Sequence, residues 1–365
     1  MRIDDSLLKC EEKVIFNLRS LYRSYGYTCF KMSKFEEYDL YSRNKEFLLS
    51  DRVITFTDTS GKLMALKPDV TLSIVKNTAD TPNITERLYY NENVYRVSDS
   101  THQYKEIMQT GIECIGDLNE YNQSEVLYLA ARSLQTISSE CALNISHLGI
   151  VSALIDGEAL GAFRAPLLKC IGEKNPHGIK EICAECGIDE KKEELLVALT
   201  ECYGDVNEVV SSLRAMTDDQ ALLSALSEFE NIVNLLGELS GVRICADFSL
   251  IGDMNYYNGI IFRGYVKGIP TSVLNGGQYD RLMQKMGKSS RAIGFAVYLD
   301  CLSRLEEPAE FDVDVLLLAD ADTEPSLIAK RGEELTRDGK SVSVQYEIPS
   351  KLRYRTLERL TKEKK

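Results

Sequence analysis

Two long runs of strand-forming residues, RLYYNENVYRV (87–97) and EIMQTGIECIG (106–116), are separated only by the polar segment SDSTHQYK. Each is well beyond ordinary strand length, so a chain that contains both is committed to an architecture built on a sheet. In the second run Met108, Thr110, Ile112 and Cys114 point one way, while Gln109, Gly111 and Glu113 point the other. A glutamine and a carboxylate flanking a glycine make a floor on which a small polar ligand can lie. The same alternation also describes an ordinary solvated sheet face.

The surrounding chain mixes helices with short strands. Leu7, Leu8, Val14, Ile15, Leu18, Leu21 and Tyr22 recur at helical spacing over 6–25, and Gly26 ends that helix. TFTDT and LMAL (55–59 and 63–66) read as a hairpin across Ser60-Gly61. Pro68 is expected to open a short helix, PDVTLSIVKN. A helix near 119–137 and a strand NISHLGI follow. From 151 to 237 the pattern is helical throughout, with breaks expected at Pro166, Pro176, Gly187 and Gly204. Strand character resumes at VRICADFSLI (242–251) and continues through GDMNYYNGIIF (252–262). NGGQYDRLMQKMG is expected to turn on Gly276-Gly277 into a helix, and RAIGFAVYLDCLSRL to run from strand to helix. After 308 the expected order is strand (VDVLLLA), helix (PSLIAKRGEELTRDG), strand (SVSVQ) and helix (SKLRYRTLERLTKEKK), a βαβ-like unit. The basic terminal helix is read as a solvated one with Leu352, Tyr354, Leu357 and Leu360 on or near its inner face, and contact with phosphates as the other possibility.

A formal charge of −13 argues against a broad non-specific nucleic-acid surface. The N-terminal stretch MRIDDSLLKCEEKV carries charges where a signal peptide needs its apolar segment, and no apolar run approaches membrane-spanning length. The expectation is a cytoplasmic protein without membrane contact. Its ten cysteines lie mostly in apolar segments, as reduced core residues do. Cys183 and Cys186 have a metal-like spacing, but they sit in a helical pattern without a second such pair. Neither a metal nor a cofactor is expected.

Several segments, in order and at compatible separations, resemble the catalytic core of class II histidyl-tRNA synthetases. LKPDVT (66–71) is similar to that family's Leu-Arg-Pro-Glu-x-Thr segment, and YYNENVYRV followed by EIMQTGIECIG to its motif 2. MNYYNGIIF resembles the histidine-binding Leu-Asp-Tyr-Tyr-Thr-Gly segment, NGGQYD the Gly-Gly-Arg-Tyr-Asp segment, and AIGFAVYLDCL motif 3. The resemblance implies an α+β fold with a class II synthetase-like antiparallel sheet flanked by helices. It divides the chain into a core (1–150 and 238–308), a helical insertion (151–237) and a truncated anticodon-binding-like α/β unit (309–365). It also assigns a histidine pocket. Asp69 takes the ammonium group with Thr71 beside it, Gln109 the ligand's polar end, and Glu113 with Tyr257 the imidazole. Tyr279 closes the pocket, Tyr256 adjoins it, and Arg96 holds the carboxylate.

The departures from that family are as informative as the matches. Where it carries an arginine that stabilises charge on the activated carboxylate and phosphate, this chain has Gly252. Where motif 3 ends in Gly-Leu-Glu-Arg, this chain has Tyr298, Leu299, Asp300 and Cys301, without a cation. The motif 2 arginine is followed two residues later by Ser98 instead of glutamate. Aminoacyl transfer depends on positioned cations around phosphates, so no catalytic residues are expected. A pocket without its reaction resembles the ATP phosphoribosyltransferase regulatory subunits, a family paralogous to the synthetases. That resemblance implies a homodimer within a hetero-oligomer, a short catalytic ATP phosphoribosyltransferase subunit as partner and histidine as possible ligand, while the overall acidity disfavours tRNA. The alternatives are a divergent histidyl-tRNA synthetase or another synthetase paralogue.

Overall fold

A computed structural model describes residues 8–48, 53–98, 101–156, 158–252, 254, 256–305 and 310–360. The chain divides into two compact units, Met1–Leu305 and Glu306–Lys365. The expected first residues of the opening helix, the expected division at 308 and the last five residues of the expected terminal helix fall outside the described residues.

Helix α1 (Cys10–Ser24) buries Val14, Leu18 and Tyr22, the stripe its spacing requires. Strands β1 (Thr28–Cys29) and β2 (Phe35–Glu37), helix α2 (Tyr38–Ser42), and strands β3 (Thr55–Thr57) and β4 (Leu63–Leu66) follow. β3 and β4 form the expected hairpin. Helix α3 spans Thr71–Asn77, three residues later than Pro68 had implied. The Asp69 carboxylate, which accepts from the Leu72 N–H at 2.8 Å, meets one of its free donors, so the aspartate starts this helix and the proline does not.

The long pair is β5 (Glu86–Val97) and β6 (Tyr104–Gly116), antiparallel along its whole length. Next come α4 (Glu120–Ile137), capped by the Asn119 side chain, and β7 (Cys141–His147). β7 covers only the first four residues of the expected NISHLGI and stops at His147, because Leu148-Gly149-Ile150 already belongs to α5 (Leu148–Ile155). Helices α6 (Arg164–Gly172), α7 (Pro176–Cys186) and α8 (Glu190–Glu201), the two-residue β8 (Tyr203–Gly204), α9 (Val206–Ala215) and α10 (Gln220–Asn234) complete the helical stretch. Pro176 and the left-handed Gly187 bound α7 as expected. Pro166 breaks nothing, since it lies in the first turn of α6, where its missing N–H would have had no helical partner. The helical stretch shares one buried apolar cluster with α4 and the sheet, through Leu196, Leu199, Leu226 and Phe229.

Strands β9 (Val242–Asp247), β10 (Ile260–Val266), β11 (Leu274–Gln278) and β12 (Arg291–Tyr298) close the first unit, with α11 (Asp280–Lys285) between the last two. Among the described residues nine strands form the main sheet, in the order β1-β5-β6-β12-β11-β10-β7-β9-β8. The expected turn at Gly276-Gly277 is instead the middle of β11, paired on both sides. A Cβ on Gly276 would meet Phe262 and Phe295 at 2.5 Å, and one on Gly277 would meet Tyr257 at 2.6 Å. These glycines admit aromatic rings to both faces of the sheet; they do not bend the chain. After β12 the chain forms a 3₁₀ turn, Asp300–Leu305, where a helix was expected.

One sheet face carries Ile112, Cys114, Phe262 and Phe295 into the main core beneath α1 and α4. Gly264 lets α4 approach, since a Cβ there would lie 2.6 Å from Leu134. The opposite face holds Gln109 and Glu113, which are buried at 3% and 2% exposure, so the solvated-face reading of that alternation fails.

In the second unit β13 (Val313–Ala319), α12 (Pro325–Arg337) and β14 (Val342–Gln345) stand as expected. The terminal helix does not form. Tyr354–Leu360 is a strand, β15, running parallel to β13 on the edge that β14 leaves open. An apolar central strand needs a hydrogen-bonded neighbour on each side. Arg331 of α12 fastens β15 through a bidentate pair with Glu358 at 2.6 and 3.0 Å. The spacing of Leu352, Tyr354, Leu357 and Leu360 fitted a helical stripe, but pairing outweighed it.

Candidate functional site

All eight residues expected to form the pocket line one cavity on the buried polar face of the main sheet: Asp69, Thr71, Arg96, Gln109, Glu113, Tyr256, Tyr257 and Tyr279. Its volume is about 950 Å³, part of it open to solvent.

The sheet register builds the floor. Glu113 of β6 lies opposite Gly294 of β12, which lies opposite Gly277 of β11, and this in turn opposite Ile261 of β10. The next row along is Gly111, Ala296, Asn275 and Arg263. Gly294 and Gly277 in the first row and Gly111 in the second leave room for the larger side chains that wall the cavity. Gly294 has no alternative, because a Cβ there would sit 1.8 Å from Glu113 Oε2. Gly111 similarly leaves room for Tyr90, whose hydroxyl would lie 2.6 Å from an added Cβ.

Glu113 is the centre of the site. Its Oε1 accepts from the Thr71 hydroxyl at 2.9 Å and its Oε2 from the Tyr279 hydroxyl at 2.6 Å. Burial pushes its pKa up to about 8; the two hydroxyls pull against that rise and nearby Asp69 adds to it. At neutral pH the group is therefore mostly a protonated acid, able to donate or to accept toward a ligand. Tyr257 packs over Gly277, with Tyr256 edge-to-face against it at 4.6 Å. Tyr256 also lies 5.9 Å from Tyr279 and 6.0 Å from Phe47, so the aromatic wall is continuous. Burial raises the pKa of all three tyrosines, keeping their hydroxyls neutral.

Asp69 holds the start of α3 and is raised above the usual carboxylate range by burial, with Arg96 opposing the rise. Arg96 Nε is committed to the Pro68 carbonyl at 2.9 Å. Gly252, in the cavity wall, has φ +50°, and a Cβ there would lie 2.4 Å from Ile261 Cδ1. Sequence reasoning passed over Arg263, Asn275 and Tyr298, which also line the cavity. The signal was present: a single cation in the apolar run IIFRGYV, two residues from Ile261 and so on the cavity face. Cys183 and Cys186 lie in α7 away from this cavity, and burial pushes the Cys183 thiol up to about 11. Among the described residues no group of three or more His, Cys, Asp or Glu side chains is placed to hold a metal, and no helix is long and apolar enough to cross a membrane.

A curated relative from Oceanobacillus iheyensis, named ATP phosphoribosyltransferase regulatory subunit, is 28% identical over 81% of this chain and 74% of its own length. A crystal structure from Bacillus halodurans, described as an ATP phosphoribosyltransferase regulatory subunit/histidyl-tRNA synthetase, superposes with a TM-score of 0.75 at 21% identity, covering 98% of this chain and 99% of that one. A chain of the ATP phosphoribosyl transferase complex from Thermotoga maritima gives 0.63 at 20% identity, over 82% and 98%. The class II synthetase-like fold expected of the first unit is the fold these structures share with it. The family model for histidyl-tRNA synthetase matches residues 5–302. A match that spans every element lining the cavity, on a fold shared with solved structures bearing that family's name, makes this chain a member of the histidyl-tRNA synthetase family.

Proposed function

We propose that this chain is the regulatory subunit of an ATP phosphoribosyltransferase, the first enzyme of histidine biosynthesis, and that its cavity reads free histidine without acting on it. The relatives' name supports the assignment. One observation carries the non-catalytic part: the amino-acid cavity keeps its carboxylates and tyrosines, while the wall position of the family's charge-stabilising arginine is Gly252, close against Ile261. Aminoacyl activation needs that cation, and recognition does not.

Glu113 takes the imidazole. As an acid it donates to the bare ring nitrogen, and as a carboxylate it accepts from the ring N–H. Thr71 and Tyr279 fix its orientation, Gln109 and the tyrosine wall exclude water, and Asp69 accepts from the ammonium. In this reading the chain forms a homodimer through its core and joins a short catalytic subunit in a cytoplasmic hetero-oligomer. Regulation is the difference in histidine affinity between two assembly states. Titrating histidine calorimetrically into the complex of this chain with its catalytic subunit is the test, with turnover followed in parallel. Heat together with falling turnover is expected; neither heat nor a change in turnover would remove the sensor role.

A second reading, a working histidyl-tRNA synthetase, has one observation in its favour: Arg263 places a cation in the cavity wall. Histidine-dependent exchange of pyrophosphate into ATP by the isolated chain would establish it, and its absence would leave the regulatory reading alone.

A further inference from the structure

Arg263 is the cavity residue whose chemistry is least accounted for. It is half-buried on β10, in the cross-strand row Arg263, Asn275, Ala296 and Gly111, and it lines the cavity. Among the described residues its guanidinium has neither a hydrogen-bond nor an ion-pair partner, whereas Arg96, the other cation of the wall, is tied to the Pro68 carbonyl and faces Asp69. Directly across from it, the buried Asn275 Oδ1 also has no partner. An unpaired guanidinium beside an unpaired amide oxygen is costly in a partly desolvated site unless a ligand satisfies both.

We infer that Arg263 holds the carboxylate of the amino acid bound in this cavity, and that Asn275 Oδ1 takes an N–H from the ammonium on the same carbon. This rests on the reading of the cavity as a histidine site and reassigns the carboxylate contact expected of Arg96. The register supplies the span. Three strand spacings separate β6 from β10, about 14 Å between backbones. Glu113 and Arg263 both line the cavity, one from β6 and the other from β10. A small zwitterion with a ring at one end is of the size that bridges two such walls of one cavity. The planar fork of an arginine suits a carboxylate in two parallel hydrogen bonds, and the neighbouring acceptor suits an ammonium with three N–H donors.

The test compares L-histidine with histamine, which keeps the ring and the ammonium but lacks the carboxylate. Binding of each to the full-length chain is measured calorimetrically for the wild type, Arg263→Gln, Arg263→Lys and Arg96→Gln. The wild type is expected to prefer histidine. Arg263→Gln should weaken histidine about 10- to 100-fold, the loss of a charge-assisted pair, and leave histamine unchanged. Arg263→Lys should recover part of the preference, and Arg96→Gln should keep it. A preference that survives Arg263→Gln, or one that collapses in Arg96→Gln instead, overturns the assignment while leaving the histidine site standing. Equal losses for both ligands in Arg263→Gln also overturn it, since the residue would then only shape the cavity. A wild-type chain that binds neither ligand overturns the histidine reading itself, and this inference with it. Melting curves of each variant separate a binding loss from unfolding.

Discussion

Replacing Glu113 with glutamine removes one titration and leaves the shape of the cavity. The folded-state pKa of Glu113 is raised to about 8 from a reference of 4.5. A carboxyl shifted upward stabilises the fold fully below its unfolded pKa, and that contribution is lost as pH rises through the folded value. Integrating the linkage with these two values gives a loss of about 2 kcal/mol between pH 6.5 and 8.5. His147 works in the opposite direction: burial lowers it to about 4, so its penalty falls on acid conditions and contributes under about 0.5 kcal/mol in this window. Buried thiols such as Cys114, pushed up to about 12, also lose stability toward pH 8.5, but equally in both proteins. The readout is therefore the difference in melting temperature between wild type and Glu113→Gln, measured at half-unit steps of pH. For a folded unit of this size the difference should shift by about 4 °C in favour of the variant from pH 6.5 to 8.5. A difference that stays constant across the window would show that Glu113 ionises normally in the native state, and the account of an acid held protonated above the sheet would be wrong.

Tyr279→Phe deletes one of the two hydroxyls that hold Glu113, at 2.6 Å; it should cost about 1–3 kcal/mol in urea denaturation and move the alkaline loss of stability to higher pH. Gly294→Ala places a Cβ 1.8 Å from Glu113 Oε2 and 2.5 Å from the Ile112 carbonyl, so it should lower stability by at least about 1–3 kcal/mol and abolish histidine binding by calorimetry. In the second unit, Leu316→Ala empties a fully buried site on β13 and should cost about 2–5 kcal/mol. Hydrogen exchange should then show protection falling together over 313–319 and 354–360, as parallel partners require; unchanged protection over 354–360 would favour the helix that spacing had implied.

What was legible along the chain was whatever is encoded at short range. The alternation through 106–116 placed Gln109, Gly111 and Glu113 on one face, because side chains of a strand alternate by covalent geometry whatever their neighbours are. The α1 stripe, the β3–β4 hairpin and the Pro176 and Gly187 boundaries of α7 are readable for the same reason. The resemblance of ordered motifs then brought together eight residues from distant segments, and one cavity contains them all.

What was misread depends on partners far away in sequence. Gly276-Gly277 signals a turn locally, yet the pair lies in a central strand because Phe262, Phe295 and Tyr257 press on it from both faces. Residues 354–360 fit a helix alone and become a strand only because β13, some forty positions earlier, has an open edge. Even for the residues that share the cavity, chemistry came from packing. The Thr71 and Tyr279 hydroxyls converge on one carboxyl, the second across 166 positions, and burial holds that carboxyl protonated at neutral pH. Periodicity along a strand or helix is a property of its own backbone, so the chain alone carries it. Desolvation, close approach and the pairing of charges are set by which surfaces meet, and only the folded molecule brings those surfaces together.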